Sequence, residues 1–197
     1  MKILITAFDP FGGEKTNPSW EAIKDLNIKD VHKLMLPTSF EKAKTLLIDK
    51  IDELKPDVVL SIGQAGGRSK ISIEQVGINL MDAKIPDNDG YMPKQIRIVE
   101  DGADAYFSTL DTYEMSDYLN SKDIPAYVSL SAGAYVCNSV LYSALEYAKK
   151  NNLNYQAAFV HVPYISEQVL DKPSNTPFME LELIKKGIRA LIEYLNV

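Results

Sequence analysis

The sequence predicts an α/β fold in which helices cover both faces of a mostly parallel sheet. Short apolar runs alternate along the chain with segments whose apolar residues recur at helical spacing. Most of the runs end in glycine, proline or small-residue turns. The composition, 46% apolar and 24% charged over 197 residues, is that of one globular domain with a substantial core. A single domain over residues 1–197 is therefore expected.

Taken in order, Ile3 to Ala7 reads as the first strand. Its apolar stretch is too short for a secretory signal. Phe8-Asp9-Pro10-Phe11-Gly12-Gly13 follows where a small-residue cleavage site would stand, which points to a buried strand of a cytoplasmic protein. Val31 to Leu36 is a weaker strand. Phe40 to Leu54 has apolar residues on one helical face (Ala43, Leu46, Leu47, Ile51, Leu54), with Thr38 and Glu41 spaced as a capping box. Asp57 to Ile62 is a strong strand between Pro56 and Gly63. From Ile71 the apolar positions are odd, Ile71 and Ile73, then even, Val76 and Ile78, which predicts a bulge or turn near Glu74 and Gln75. Ile85 to Gly90 is turn chemistry. Ala126 to Leu130 and Ala157 to Val162 are strands. Ser139 to Lys150 is a helix, and a last one runs from Pro177, a first-turn residue, through Ile184, Ile188, Leu191 and Leu195.

Several function classes fall away. No apolar run approaches the roughly 20 residues of a membrane span. The net charge of −6 and the scattered basic residues argue against nucleic acid. One cysteine excludes an internal disulfide, and with two distant histidines it does not make a structural zinc site.

The chemistry gathers around that cysteine. Cys137 follows a predicted strand and the turn Ser131-Ala132-Gly133, just before a helix. Ligands of open α/β sheets bind beyond the carboxyl ends of strands. A helix N-terminus favours a thiolate and offers N–H groups to an oxyanion. His161 ends the next strand and can face the thiol as its base. Glu74, where the alternation breaks, is the candidate carboxylate to orient that histidine. His32 reads as an exposed strand residue. The glycine pairs in Phe11-Gly12-Gly13 and Gln64-Ala65-Gly66-Gly67-Arg68 let backbone approach a ligand, but neither is a phosphate loop or dinucleotide fingerprint. Phe8 and Phe11 beside them point to a small apolar pocket.

Together these segments resemble the pyroglutamyl peptidase I family, cysteine peptidases that release N-terminal pyroglutamate. The resemblance rests on Thr6 to Gly13 with Asn17-Pro18-Ser19-Trp20, on Gly63 to Arg68, and on Ile73-Glu74-Gln75-Val76 with Ile78-Asn79. It continues through Ile85-Pro86-Asp87-Asn88, Ala132-Gly133, Val136-Cys137-Asn138 and His161-Val162-Pro163-Tyr164-Ile165. It implies an α/β/α sandwich around a twisted, mostly parallel sheet, and a Cys137–His161–Glu74 triad. It also implies a pyroglutamate pocket drawing on Phe8, Phe11, Gln64, Lys84, Ile85, Tyr135 and Val136. Neither cofactor nor metal is expected; a cytoplasmic homo-oligomer, tetramer or dimer, is. Lys84 stands where the family usually has arginine, Tyr135 where phenylalanine is common, and Met81 where a polar residue is frequent. These departures bear on substrate binding and on the oxyanion, which Lys84 is expected to help hold. Two other classes use similar scaffolds: a purine nucleoside phosphorylase-like enzyme, which would leave Cys137 idle, and a non-catalytic small-molecule binder with an ordinary thiol.

Overall fold

The computed structural model describes residues 1–196. Eight strands and five α-helices follow in the order β1 (Ile3–Phe8), α1 (Pro18–Ile23), β2 (Val31–Leu36), α2 (Phe40–Leu54), β3 (Val58–Gln64), β4 (Ile71–Glu74), β5 (Val76–Ile78), β6 (Ala105–Phe107), α3 (Thr112–Ser121), β7 (Ala126–Ser129), α4 (Val136–Asn151), β8 (Gln156–Val162) and α5 (Leu181–Leu195). Six strands form the central sheet in the order β2-β1-β3-β8-β4-β7, while β5 and β6 pair separately. Four of its five pairings are parallel; the exception is β4 against β8.

Period-two alternation divides the strands between two cores. Ile3 and Ile5, Val58, Leu60 and Ile62, Ile71 and Ile73, and Ala158, Val160 and Val162 point to one face, under α1, α3 and α5. Leu4, Phe8, Val59, Ala157 and Phe159 point to the other, under α2 and α4. The result is the α/β/α sandwich the resemblance implies. Among the described residues, no helix is long and apolar enough to cross a membrane.

Several expectations are corrected. The cap of α2 is Ser39, whose side chain accepts from Lys42 N–H at 3.3 Å. Thr38 instead gives its backbone N–H and its hydroxyl to Asp9, tying down the loop after β1. The break in alternation at Gln75 is a change of sheet rather than a bulge: β4 lies in the central sheet and β5 in the small one. The last helix begins at Leu181, four residues after Pro177. Helix α4 begins at Val136, three residues before Ser139, so Cys137 lies within its first turn. Finally, β7 runs antiparallel to β8, because it pairs in parallel with the reversed β4. The carboxyl end of β7 therefore does not share an edge with that of β8. The loop from Leu130 to Ala134 and the start of α4 bring the cysteine back over the central strands.

Candidate active site

A cavity of about 480 Å³ opens where β1, β3 and β8 end; its lining includes Phe11, Gln64, Arg68, Tyr135, Cys137 and His161. Each is placed by a local cause. Cys137 Sγ rests on Gly63 of β3: a Cβ there would stand 3.0 Å from the sulfur and 2.7 Å from the Phe159 ring, so only glycine leaves room for the thiol. Gly63 pairs in register with His161, which puts the sulfur beside the imidazole's strand. The turn before α4 needs Gly133 at φ 77°, in the left-handed region. Asn138, fully buried, accepts the Ile78 N–H at 2.9 Å and donates to the carbonyls of Ile78 and Leu80 at 2.8 and 3.0 Å. This clamps the first turn of α4 to the chain leaving β5. No side chain caps that turn, so its free N–H groups remain available.

Glu74 and His161 meet across the antiparallel β4–β8 pair. Ser72 stands opposite His161 and Glu74 opposite Phe159, so the carboxylate reaches the imidazole diagonally on one face. Glu74 Oε1 lies 2.7 Å from His161 Nδ1, with the two residues 0% and 4% exposed. A carboxylate at Nδ1 holds the proton there and leaves Nε2 as the basic nitrogen. Cys137 is a free thiol and forms no hydrogen bond to the imidazole, whose bonded nitrogen is Nδ1.

Arg68 is the residue to which sequence reasoning gave no role. Its Nη1 donates to Ser72 Oγ and Glu74 Oε1, each at 2.5 Å, and its Nη2 to the Ser131 carbonyl at 3.0 Å. It thus joins the carboxylate to the turn that precedes the cysteine. The signal was present: the short loop from β3 to β4 cannot carry Arg68 far from Glu74. Among the described residues the second carboxylate oxygen, Oε2, has no hydrogen-bond partner; the Ser129 hydroxyl nearby donates to Ser131 O instead.

The electrostatics set the resting protonation. Burial pushes the Cys137 thiol up to about 12, with the Glu74 charge adding to it; Arg68 and the residue's own backbone N–H pull the other way. Burial, with the Arg68 charge, also lowers His161, outweighing the hydrogen bond and charge of Glu74 that raise it. For Glu74, burial would raise the carboxyl, but the hydrogen bond to His161, with the Arg68 charge, holds it below its ordinary value. The pair therefore rests as thiol and neutral imidazole. The thiolate expected from the helix terminus alone is outweighed by desolvation.

Of the expected pocket residues, Phe11, Gln64 and Tyr135 line the cavity with Cys137 and His161. The Tyr135 ring lies 6.0 Å from Phe11 and 5.3 Å from Phe40, and its hydroxyl donates to Pro86 O at 2.9 Å. Phe8 and Val136 are buried, 2% and 0% exposed, in the core under α2 and α4, Phe8 with its ring 6.1 Å from Phe159. Ile85 is exposed and lies against the Gly12 loop. Lys84 is exposed, outside the cavity lining, and its ammonium makes no hydrogen bond or ion pair among the described residues. His32 is exposed on β2, as expected. Among the described residues no group of three or more His, Cys, Asp and Glu side chains is placed to hold a metal.

A sequence model of the pyroglutamyl peptidase family matches residues 1–196. The chain is 50% identical over 197 residues to a pyrrolidone-carboxylate peptidase of Brachyspira hyodysenteriae, covering 98% of each. It is 51% identical over 197 residues to pyrrolidone-carboxylate peptidase 1 of Caldanaerobacter subterraneus subsp. tengcongensis, covering 98% of this chain and 97% of the other. Its fold is similar to the pyrrolidone carboxyl peptidase of Fervidobacterium islandicum, with TM-score 0.95 and 38% identity over 100% of this chain and 98% of that one. Pyroglutamyl peptidase I of Bacillus amyloliquefaciens gives TM-score 0.93 and 38% identity over 96% and 92%. On these matches, the chain belongs to the pyroglutamyl peptidase family.

Proposed function

We propose that this peptidase hydrolyses the bond after an N-terminal pyroglutamate, with Cys137 as nucleophile, His161 as base and Glu74 as the group that orients it. The observation that carries the assignment is the buried 2.7 Å bond between Glu74 and His161 Nδ1, with His161 and Cys137 lining one cavity. Because the pair rests neutral, the proton leaves Sγ for His161 Nε2 as the sulfur attacks the carbonyl that follows the pyroglutamyl ring. The free N–H groups of the first turn of α4 stabilise the oxyanion. His161 then returns the proton to the leaving amine, a thioester remains on Cys137, and water activated by His161 releases pyroglutamate. Glu74 stabilises the imidazolium at each stage.

The ring lies against Phe11 and Tyr135, with the Gln64 carboxamide as its polar partner. On the same reading the chain acts as one catalytic domain. A reducing cytoplasm suits its unpaired nucleophilic thiol. A homo-oligomer would cover exposed apolar side chains such as Phe107 and Leu130, both 69% exposed.

The test is stoichiometric alkylation. Iodoacetamide should abolish cleavage of a fluorogenic pyroglutamyl amide as one equivalent adds to Cys137, and excess substrate should protect the thiol. Full activity after complete alkylation would refute the nucleophile. A prolyl amide lacks the lactam carbonyl and brings a charged amine into the cavity; it should be cleaved roughly 10⁴-fold less well.

A further inference from the structure

The polar end of the cavity depends on one carboxamide, Gln64, and a carboxamide can present either a donor or an acceptor. Its neighbour removes that choice. Gln168 closes the short 3-10 turn Ser166–Gln168 and is 9% exposed. The backbone N–H of Ile165 donates to Gln168 Oε1 at 3.1 Å; an N–H can only donate, so that end of the amide must be oxygen. Gln168 Nε2 faces Glu14 Oε2 at 3.1 Å and the Thr16 carbonyl at 3.4 Å, both acceptors. Lys172 Nζ donates to the other Glu14 oxygen, Oε1, at 2.6 Å. The same Nε2 lies 2.9 Å from Gln64, so the Gln64 atom that meets it must be Oε1. Gln64 Nε2 is thereby turned away from Gln168. It has no partner among the described residues, it is not sealed from solvent, and its residue lines the cavity.

We infer that Gln168, itself oriented by Glu14 and the Ile165 N–H, is a specificity-determining positioning residue that fixes Gln64 with its NH₂ toward the cavity, to donate to the ring carbonyl of pyroglutamate. The inference rests on the pyroglutamyl reading above. It extends that reading from the residue that meets the ring to the network that decides which end of the residue does so. Without Gln168, Gln64 can turn its oxygen into the cavity, where it repels the lactam carbonyl. No proton moves through Gln168, and it touches neither sulfur nor imidazole. Its loss should therefore weaken binding and leave the chemical step intact.

Two variants and one substrate pair test this. Gln168→Met keeps the length and removes both hydrogen-bonding ends. KM for a pyroglutamyl amide should rise about 5- to 100-fold, the effect of one unpaired neutral bond, with kcat within about threefold. The double variant Glu14→Gln, Gln168→Glu conserves charge but places an acceptor against Gln64, forcing its NH₂ away from the cavity; KM should rise at least as much. The substrate pair is the pyroglutamyl amide and its thiolactam, whose ring C=S is a poorer acceptor. The parent protein should prefer the oxo compound by about tenfold or more, and in Gln168→Met that preference should fall to about twofold. A merely structural role would depress both substrates alike. An unchanged KM in either folded variant would overturn the inference. So would an unchanged oxo-to-thioxo ratio in Gln168→Met, or no such preference in the parent, a measurement that needs no variant to fold. Iodoacetamide should alkylate Cys137 in both variants at near the parent rate, which separates misplaced recognition from a collapsed site. If the parent protein cleaves no pyroglutamyl amide at all, it is the functional reading that fails.

Discussion

Replacing Arg68 tests the electrostatic construction of the site. Its guanidinium makes three hydrogen bonds, to Ser72, Glu74 and Ser131, with its side chain 24% exposed and that of Glu74 fully buried. Arg68→Met would leave the carboxylate with His161 alone, since Oε2 already lacks a partner among the described residues. Removing one member of a buried ion pair typically costs about 3–5 kcal/mol. The surviving 2.7 Å bond to His161 and the partial exposure of the arginine reduce the expected loss to about 2–3 kcal/mol. For a chain of this size that is a fall in Tm of about 5–10 °C by calorimetry. The pH dependence carries a sign. Arg68 helps lower both Glu74 and His161, so without it both rise, and the acid limb of kcat/KM should move to higher pH. Because the Glu74 pKa is depressed on folding, its stabilisation is present above its ordinary value of 4.5 and fades as pH falls through the folded value. The gap in Tm between parent and variant should therefore be full at neutral pH and narrow in acid, where the protonated carboxyl no longer needs a cation. Arg68→Lys keeps the charge but loses the fork, so it should preserve the acid limb better than the stability. An Arg68→Met protein with parental Tm and an unmoved acid limb would show that the arginine neither holds Glu74 nor tunes the site.

Cys137→Ala should abolish hydrolysis, and the Cys137→Ala, His161→Ala double variant should be hardly worse than either single one, since the groups act as a unit; additive losses in kcat/KM would contradict this. Glu74→Gln should retain more activity than His161→Ala, because an amide can still accept from Nδ1–H without stabilising the imidazolium; equal loss would make the carboxylate's charge indispensable. With His161 lowered and Cys137 pushed up to about 12, kcat/KM should hold its plateau below pH 6.5 and show no thiol-linked rise near pH 9, which a stopped assay across pH 5–10 checks. Lys84→Ala should change kcat/KM by less than about threefold, since the residue is exposed and makes no side-chain hydrogen bond or ion pair among the described residues; a loss of about tenfold or more would bring Lys84 over the oxyanion during turnover.

Local signals carried most of the elements. Phe40–Leu54 has its predicted bounds because one apolar stripe, Ala43, Leu47 and Ile51, is buried under the sheet. The strands from Ile3, Val31, Asp57, Ala126 and Ala157 lie within a residue or two of expectation. The short elements α1, α3 and β6 went unpredicted, being six, ten and three residues long with few apolar positions to set a period. The direction of β7 was not legible either. It depends on β4 entering the sheet against β8, a pairing between residues 87 apart that no local pattern encodes.

That pairing also explains why the triad was legible as residue types but not as geometry. In β3, β4 and β8 the apolar series Leu60 and Ile62, Ile71 and Ile73, Val160 and Val162 faces the core under α1, α3 and α5. The interleaved series, Ser61 and Gly63, Ser72 and Glu74, Phe159 and His161, faces α2 and α4. Apart from Phe159 these interleaved residues are polar or small, which marks one end of that face as built for something other than packing, and this can be read from sequence. What cannot be read is that β4 is reversed, which sets Glu74 opposite Phe159 and so within reach of the His161 ring beyond it. A parallel β4 with Ser72 still opposite His161 would set Glu74 opposite Pro163, beyond the end of β8 and nearer the rim. There its charge would be screened, and its hold on the imidazole would weaken. The reversal lets a carboxylate sit fully buried beside the histidine, and Arg68, arriving on the short loop that makes the reversal, offsets the cost of burying it.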